Sequence, residues 1–116
     1  AALGLAQLEM LDSFIESKRD IALKYQEWGN SESQIILKEQ EDSNANYWLN
    51  CLIVSNLSER NALLEYTNNN NVMTRPSWTP LHKLKMYQDC FRSDLSNTIW
   101  VHERLVNLPS SPIIKT

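Results

Sequence analysis

The chain has 116 residues, of which 42% are hydrophobic and 22% are charged, so it is long enough for one domain with a modest core. Its net charge of −3 argues against nonspecific nucleic-acid binding, which needs a basic surface to displace counterions. No apolar run approaches the roughly 20 residues of a membrane-spanning helix, and no signal-peptide pattern is visible, so we expect no membrane partner.

The chain begins without Met and enters an apparent helix at once, with no Ser, Thr, Asp or Asn to cap the first turn. Small residues at the start, among them Ala1, Ala2 and Gly4, are of the kind that lets another backbone approach closely. These features favour a chain that is the C-terminal part of a larger protein. A frayed end is the alternative.

In the first half of the chain, apolar residues recur at helical spacing over 5–28, which predicts one long helix that ends at Gly29. The β-branched run at 34–38 predicts a short strand, and the polar residues 39–46 predict a loop. The aromatic and β-branched run at 47–55 has no breaker and predicts a second strand with at least one buried face.

The second half predicts a helix that is capped by Ser58 and ends in the asparagine run 68–71. An extended segment follows at 72–75, then a short helix over 83–91 and a longer one that starts at 93 or 94 and ends at 106. The order α-β-β-α-β-α-α indicates an α+β fold, in which helices pack on a three-stranded, mainly antiparallel sheet.

The two cysteines, Cys51 and Cys90, lie far apart and form no CxxC motif. In a chain of this size they are typical of reduced core thiols rather than of a disulfide framework. We therefore expect a cytoplasmic protein.

No catalytic motif is visible: the chain lacks GxSxG, HExxH and any cysteine paired with histidine at a known spacing. Two glycines do not suffice for a glycine-rich phosphate loop. His82 and His102 are not accompanied by a cluster of cysteines or carboxylates, so we expect no metal site. A self-contained enzyme is not predicted.

The stretch TRPSWTPLH (74–82) concentrates side chains that suit recognition, and its two prolines make it stiff. Arg75 suits a phosphate or carboxylate, Trp78 suits stacking, and His82 suits hydrogen bonding near neutral pH. The alternative is a structural loop in which Trp78 fills the core and His82 caps a helix. His102, within the last predicted helix, is expected to face solvent or to pack locally, and to matter less than His82.

Four segments, AALGLAQLEMLDSFIESKRDIALKY, NYWLN, TRPSWTPLHKLKMY and NLPSSP, follow one another along the chain. In order and spacing they resemble the C-terminal region of the DegT/StrS family of PLP-dependent sugar aminotransferases, over essentially the whole chain. The form RPxWxxxHKLxMY is most similar to the subgroup that makes 4-amino sugars of the bacillosamine and legionaminic type.

The resemblance implies that residues 1–116 are the small C-terminal domain of a type I PLP-dependent transferase whose large N-terminal domain, absent from this chain, carries the cofactor lysine. It implies amino transfer, usually from glutamate, to a nucleotide-linked 4-keto sugar in surface polysaccharide or glycan biosynthesis, by a homodimer. Lys83 and Lys85 do not lie in the family's lysine motif. This chain should therefore hold no catalytic or cofactor-binding residue and should be inactive alone.

The resemblance also implies roles for single residues. The segment that matches 75–82 runs along the mouth of the active site near the sugar nucleotide, so Trp78 and His82 are expected to line the substrate site and Arg75 to contact an anion. The matching residues 46–48 are expected to lie mostly in the sheet core.

A free-standing interaction module, whose first helix lies in a partner's groove, is the alternative to an enzyme domain. An upstream lysine-bearing domain in the reading frame would favour the enzyme, and a start codon near Ala1 would favour the module.

Overall fold

The computed structural model describes residues 1–113, which form two compact units. The first unit comprises residues 1–50 and 109–113, and the second comprises Cys51–Leu108. Within the described part of the chain, every helix is too short or too polar to cross a bilayer.

The first unit begins with two helices, α1 (Ala2–Glu9) and α2 (Leu11–Ser31), where the sequence predicts one. The break lies at Met10, whose N–H bonds the carbonyl of Gln7, three residues back, and so ends the α-helical ladder. α1 buries none of its residues. The apolar period therefore predicted α2, but it did not indicate the boundary between α1 and α2.

Gly29 is a helical residue of α2 and does not end the helix as predicted, because α2 continues to Ser31. It lies against the two-residue strand β1 (Ile35–Ile36). A Cβ atom at Gly29 would lie 2.7 Å from Cγ1 of Ile36 and 3.1 Å from the carbonyl oxygen of Gln34. This glycine is therefore needed for the close approach of α2 and β1.

The loop that follows β1 is held by the guanidinium of Arg19, which pairs with Glu39 at 2.6 Å and donates to the carbonyl of Ala45 at 2.7 Å. The same guanidinium lies 5.4 Å from the centre of the Tyr47 ring. Residues 46–48 therefore belong to this polar loop, and Trp48 is 63% exposed. The expectation that they form sheet core is wrong, because the next strand begins only at residue 50.

The second unit contains two helices and three strands. In chain order they are β2 (Asn50–Ile53, whose first residue belongs to the first unit), α3 (Leu57–Asn69), β3 (Arg75–Pro76), α4 (Ser96–Arg104) and β4 (Leu105–Leu108). β4 lies between β2 and β3. β3 and β4 are antiparallel, with Arg75 opposite Asn107 and Pro76 opposite Val106.

The α+β class is confirmed, and residues 1–113 contain four strands rather than the predicted three. The missing strand was β4, whose first two residues, Leu105 and Val106, the sequence assigned to the end of the last helix. α4 stops at Arg104, and Val106 of β4 is fully buried. A run as short as LVNL carries too little periodicity to separate a strand from a helix end, so tertiary packing decides.

The cap of α3 lies two residues before the predicted cap, Ser58. The cap is Asn56, whose Oδ1 accepts from the N–H of Glu59 at 3.0 Å, while the Glu59 carboxylate accepts from the N–H of Ser55 at 2.9 Å. The predicted stop in the asparagine run is confirmed: the helix ends at Asn69, and Asn71 has a φ of 61°.

The predicted helix over 83–91 is absent. Two single 3-10 turns, Leu81–Lys83 and Lys85–Tyr87, are separated by the extended residue Leu84. Cys90 follows on the surface, so its expected place in the core is wrong, whereas Cys51 is partly buried. Burial raises the pKa of the Cys51 thiol.

Candidate functional site

Two adjoining depressions lie in the second unit and share Pro80 and Thr98 in their walls. The Trp78 groove has a volume of about 440 Å³ and is lined by Ser77, Trp78, Pro80, Asn97, Thr98, Val101 and His102. The His82 cavity has a volume of about 380 Å³ and is lined by Pro80, Leu81, His82, Tyr87, Cys90, Phe91, Arg92, Leu95 and Thr98.

Helix α4 forms one wall of the Trp78 groove. Asn97, Thr98, Val101 and His102 contribute to the lining, and their spacing of one, four and five residues places them on one face of a helix. The opposite wall is the stiff segment that follows β3. The groove therefore lies between one face of α4 and the loop that Pro76 and Pro80 stiffen.

His102 is joined to this loop, with its Nδ1 3.0 Å from the hydroxyl oxygen of Ser77. The expectation that His102 faces solvent or packs locally is corrected by this contact, which ties α4 to the stretch 74–82. In the sequence, the polar residues Asn97, Thr98 and His102 share one face of the predicted helix. That pattern is the signal that could have indicated a role for His102 in the site.

The charge state of His102 follows from its surroundings. Burial lowers the pKa of this imidazole, and the positive charges of Lys83 and Arg60 lower it further. Arg60 also donates from Nη1 to the carbonyl of His102 at 2.5 Å, which secures the end of α4. His102 is therefore a neutral imidazole near neutral pH.

Trp78 is 70% exposed, so it does not fill the core as the structural-loop alternative requires. His82 is half-buried and lies inside the 3-10 turn Leu81–Lys83, in the wall of the His82 cavity. The two residues thus lie on either side of Pro80, one in each depression. The prediction that Trp78 and His82 line a substrate site stays a prediction.

Arg75 is set apart from these two residues. Its Nη1 donates to Oδ1 of Asn68 at 2.9 Å and to the carbonyl of Thr74 at 3.0 Å, and it lines neither the Trp78 groove nor the His82 cavity. The anion contact predicted for Arg75 stays a prediction.

The two depressions do not suit the covalent attachment of PLP, because among residues 1–113 no lysine lines either of them. Across residues 1–113, no three side chains of His, Cys, Asp or Glu are grouped as metal ligands. The linings instead combine neutral polar groups and aromatic rings, with one guanidinium from Arg92.

Comparison with known proteins places these observations in a family context. The sequence pattern of the DegT/DnrJ/EryC1/StrS aminotransferase family matches residues 1–116. The chain is 36% identical over 117 residues to GDP-perosamine synthase of Vibrio cholerae, covering 97% of this chain and 31% of that protein. The chain thus spans about a third of the length of this relative.

Solved structures show the same fold. Helicobacter pylori PseC, an aminotransferase involved in the biosynthesis of pseudoaminic acid, has a TM-score of 0.84 at 18% identity, covering 95% of this chain and 31% of that one. Spr1654 of Streptococcus pneumoniae, in its PLP form, has a TM-score of 0.83 at 22% identity, covering 97% and 30%.

Proposed function

Because the chain belongs to the DegT/DnrJ/EryC1/StrS aminotransferase family, we propose that it is the small C-terminal domain of a PLP-dependent aminotransferase. The enzyme transfers an amino group from glutamate to a 4-keto sugar that is linked to a nucleotide, in the synthesis of a surface polysaccharide or glycan. The identity of 36% with GDP-perosamine synthase supports this substrate class. The enzyme acts as a homodimer in the cytoplasm, where the free thiols of Cys51 and Cys90 remain reduced.

The pairing of the two depressions is the observation that carries this function. A nucleotide-linked 4-keto sugar has an uncharged, hydroxyl-bearing ring, a diphosphate and a base, and the adjoining linings offer neutral polar groups, the cation of Arg92 and several aromatic rings. Trp78 and His82 face this substrate from a loop that two prolines stiffen, so little conformational entropy is lost on binding.

PLP, when bound to the enzyme, supplies the electron sink for amino transfer. The residues of this chain bind and orient the nucleotide sugar and shield it from water. His82 hydrogen-bonds the substrate within the His82 cavity, and Trp78 covers an apolar face of it in the Trp78 groove. Arg75 contributes positive charge from the neighbouring strand.

The function is tested with the complete gene product, PLP, 2-oxoglutarate and GDP-perosamine, in the direction that releases glutamate. Glutamate formation is the expected result. A panel of GDP-, UDP- and dTDP-linked 4-amino sugars, all of which give no glutamate, would overturn the proposal.

The same assay tests His82. Loss of a hydrogen bond that leaves its partner unpaired costs about 1 to 3 kcal/mol, so His82→Ala should lower kcat/KM for the sugar roughly ten- to a hundredfold. Glu65→Gln, an exposed change on α3, is the matched control and should leave kcat/KM unchanged. Equal kcat/KM values for His82→Ala and Glu65→Gln would mean that the loop has only a structural role.

One observation favours a second function, a free-standing interaction module. α1 buries none of its residues, and Leu3, Leu5 and Leu8 are all mainly exposed, which suits a helix that lies in a partner's groove. A complete gene product that transaminates none of the panel sugars would favour this module.

A further inference from the structure

We propose that the Trp78 groove is the subsite for the sugar ring, in which His102 hydrogen-bonds a ring hydroxyl and Ser77 holds His102 in position. This inference rests on the proposed function and adds a specificity residue to it. It also orients the substrate, because the ring then lies in the Trp78 groove and the charged part of the nucleotide extends into the neighbouring His82 cavity.

The chemistry of the lining distinguishes the two depressions. Four residues bring hydrogen-bonding groups without charge to the Trp78 groove: Ser77, Asn97, Thr98 and His102. Within the described part of the chain, no Lys, Arg, Asp or Glu lines the groove, whereas the His82 cavity includes Arg92. An anionic diphosphate is therefore favoured beside Arg92, and a neutral ring is favoured in the groove.

The indole of Trp78 supplies what a sugar ring needs besides hydroxyl partners. A pyranose has an apolar face of C–H groups and a polar rim, and an exposed indole offers an apolar surface that stays in contact with water at its edge. Hydroxyl and amide groups along the facing helix α4 can meet the polar rim of the ring. The His82 cavity also has the aromatic rings of Tyr87 and Phe91 and shares Thr98, but the indole of Trp78 and the side-chain amide of Asn97 line the groove.

His102 is held so that one ring nitrogen is committed to the protein. Nδ1 lies 3.0 Å from the Ser77 hydroxyl, so a ligand in the groove meets Nε2. Since burial, and next the charges of Lys83 and Arg60, disfavour a second proton on the ring, the imidazole is neutral near neutral pH. A neutral imidazole nitrogen is a single donor or a single acceptor, which suits a hydroxyl, whereas a phosphate is best served by a cation.

Ser77 acts through His102 and is a positioning residue. Without its hydroxyl, the imidazole loses the partner that fixes its ring orientation, although Nε2 remains. Loss of Ser77 should therefore weaken sugar binding less than loss of His102 itself.

The experiment uses the complete gene product and measures two KM values, one for the nucleotide sugar and one for 2-oxoglutarate. His102→Ala should raise KM for GDP-perosamine, or for the panel sugar the enzyme accepts, about tenfold or more, with KM for 2-oxoglutarate unchanged. His102→Gln places an amide near the position of Nε2 and should recover part of the loss. Ser77→Ala should fall between the wild type and His102→Ala, and Glu65→Gln should match the wild type.

Direct binding of the same nucleotide sugar, measured by calorimetry, gives a readout that does not depend on turnover, and Tm reports the fold of each variant. If His102→Ala is too unstable to purify, His102→Gln and Ser77→Ala carry the test through the same KM and binding measurements. Unchanged sugar KM and binding in the His102 variants would overturn the subsite while transamination stands. A parallel rise of both KM values together with a fall in Tm would show a structural role and overturn it as well. A wild type without transamination would instead defeat the proposed function.

Discussion

Asn50 and Ser110 are joined by two hydrogen bonds, in which the Ser110 hydroxyl accepts from the backbone N–H of Asn50 at 2.8 Å and from its Nδ2 at 3.1 Å. Both residues are buried. They lie in the segments NYWLN and NLPSSP, two of the four segments that carry the family resemblance. Lys18 of α2 adds a hydrogen bond to the carbonyl of Ser110 at 2.6 Å. These two segments therefore stabilise the first unit.

The Ser110→Ala variant should lower the free energy of unfolding by about 1 to 3 kcal/mol, because it leaves two buried donors of Asn50 without their acceptor. Urea denaturation followed by circular dichroism measures the change. Ser111→Ala, at the exposed neighbouring position, is the control and should alter stability by less than about 0.5 kcal/mol. Equal stability of the two variants would contradict the structural role of the hydroxyl.

A second stability prediction compares the two glycines of the chain. Gly29→Ala adds a methyl group 2.7 Å from Cγ1 of the buried Ile36, and overpacking of this kind typically costs about 1 to 3 kcal/mol, which exceeds the gain of up to about 1 kcal/mol in helix propensity. Gly4→Ala meets no atom within 4 Å and should leave stability unchanged or raise it. Thermal unfolding of both variants provides the measurement. A Tm for Gly29→Ala at or above that of Gly4→Ala would show that α2 and β1 are not packed this closely.

How far the sequence predicted the fold depended on the length of each pattern. α2 was found because its apolar period extends over several turns, and α3 because a cap signal and an asparagine stop bracket it. By contrast, β4 and the break at Met10 rest on one or a few residues whose state tertiary contacts decide. Gly29 was assigned to a helix end because a glycine that serves close packing looks the same in sequence.

The candidate site was predicted in part for a similar reason. Trp78 and His82 lie four residues apart in one short stretch, so the sequence alone predicts that they are close together. His102 comes from a helix that follows an irregular segment of two 3-10 turns, and the path of such a segment has no periodic pattern. Its contact with Ser77 therefore required the three-dimensional structure.

A third prediction concerns acid stability and the pair formed by Arg19 and Glu39. The hydrogen bond from Arg19, and next the N–H of Ala45, hold the pKa of the Glu39 carboxyl below its ordinary value of about 4.3. The folded state therefore binds this proton less readily than the unfolded state. The resulting stabilisation is present above about pH 4.3 and is lost as the pH falls through the lower folded pKa.

Tm measured as a function of pH tests this linkage. The wild type should lose Tm more steeply than Glu39→Gln as the pH falls below about 4.3, because the variant has no carboxyl to protonate. Glu41→Gln, an exposed change in the same loop, should keep the wild-type slope. A slope in Glu39→Gln as steep as that of the wild type would assign the acid sensitivity to other groups.

The last prediction concerns the proton affinity of His102. Burial is the largest cause that lowers the pKa of this imidazole, followed by the charges of Lys83 and Arg60, with a smaller contribution from His82, while Glu103 acts in the opposite direction. Because the folded pKa lies below the unfolded value of about 6.5, the folded state loses stability relative to the unfolded state as the pH falls below that value.

Lys83→Gln removes one positive charge and should move the pKa of His102 upward, though not to the ordinary value, since burial remains. Glu103→Gln should move it downward, which makes the two variants a matched pair of opposite sign. Proton NMR titration of the imidazole resonances measures both shifts, and the resonance that disappears in His102→Gln identifies His102 against His82. An upward shift in Glu103→Gln, or none in Lys83→Gln, would mean that the charges around the Ser77–His102 contact are arranged differently. In that case, the neutral imidazole on which the sugar subsite depends would rest on burial alone.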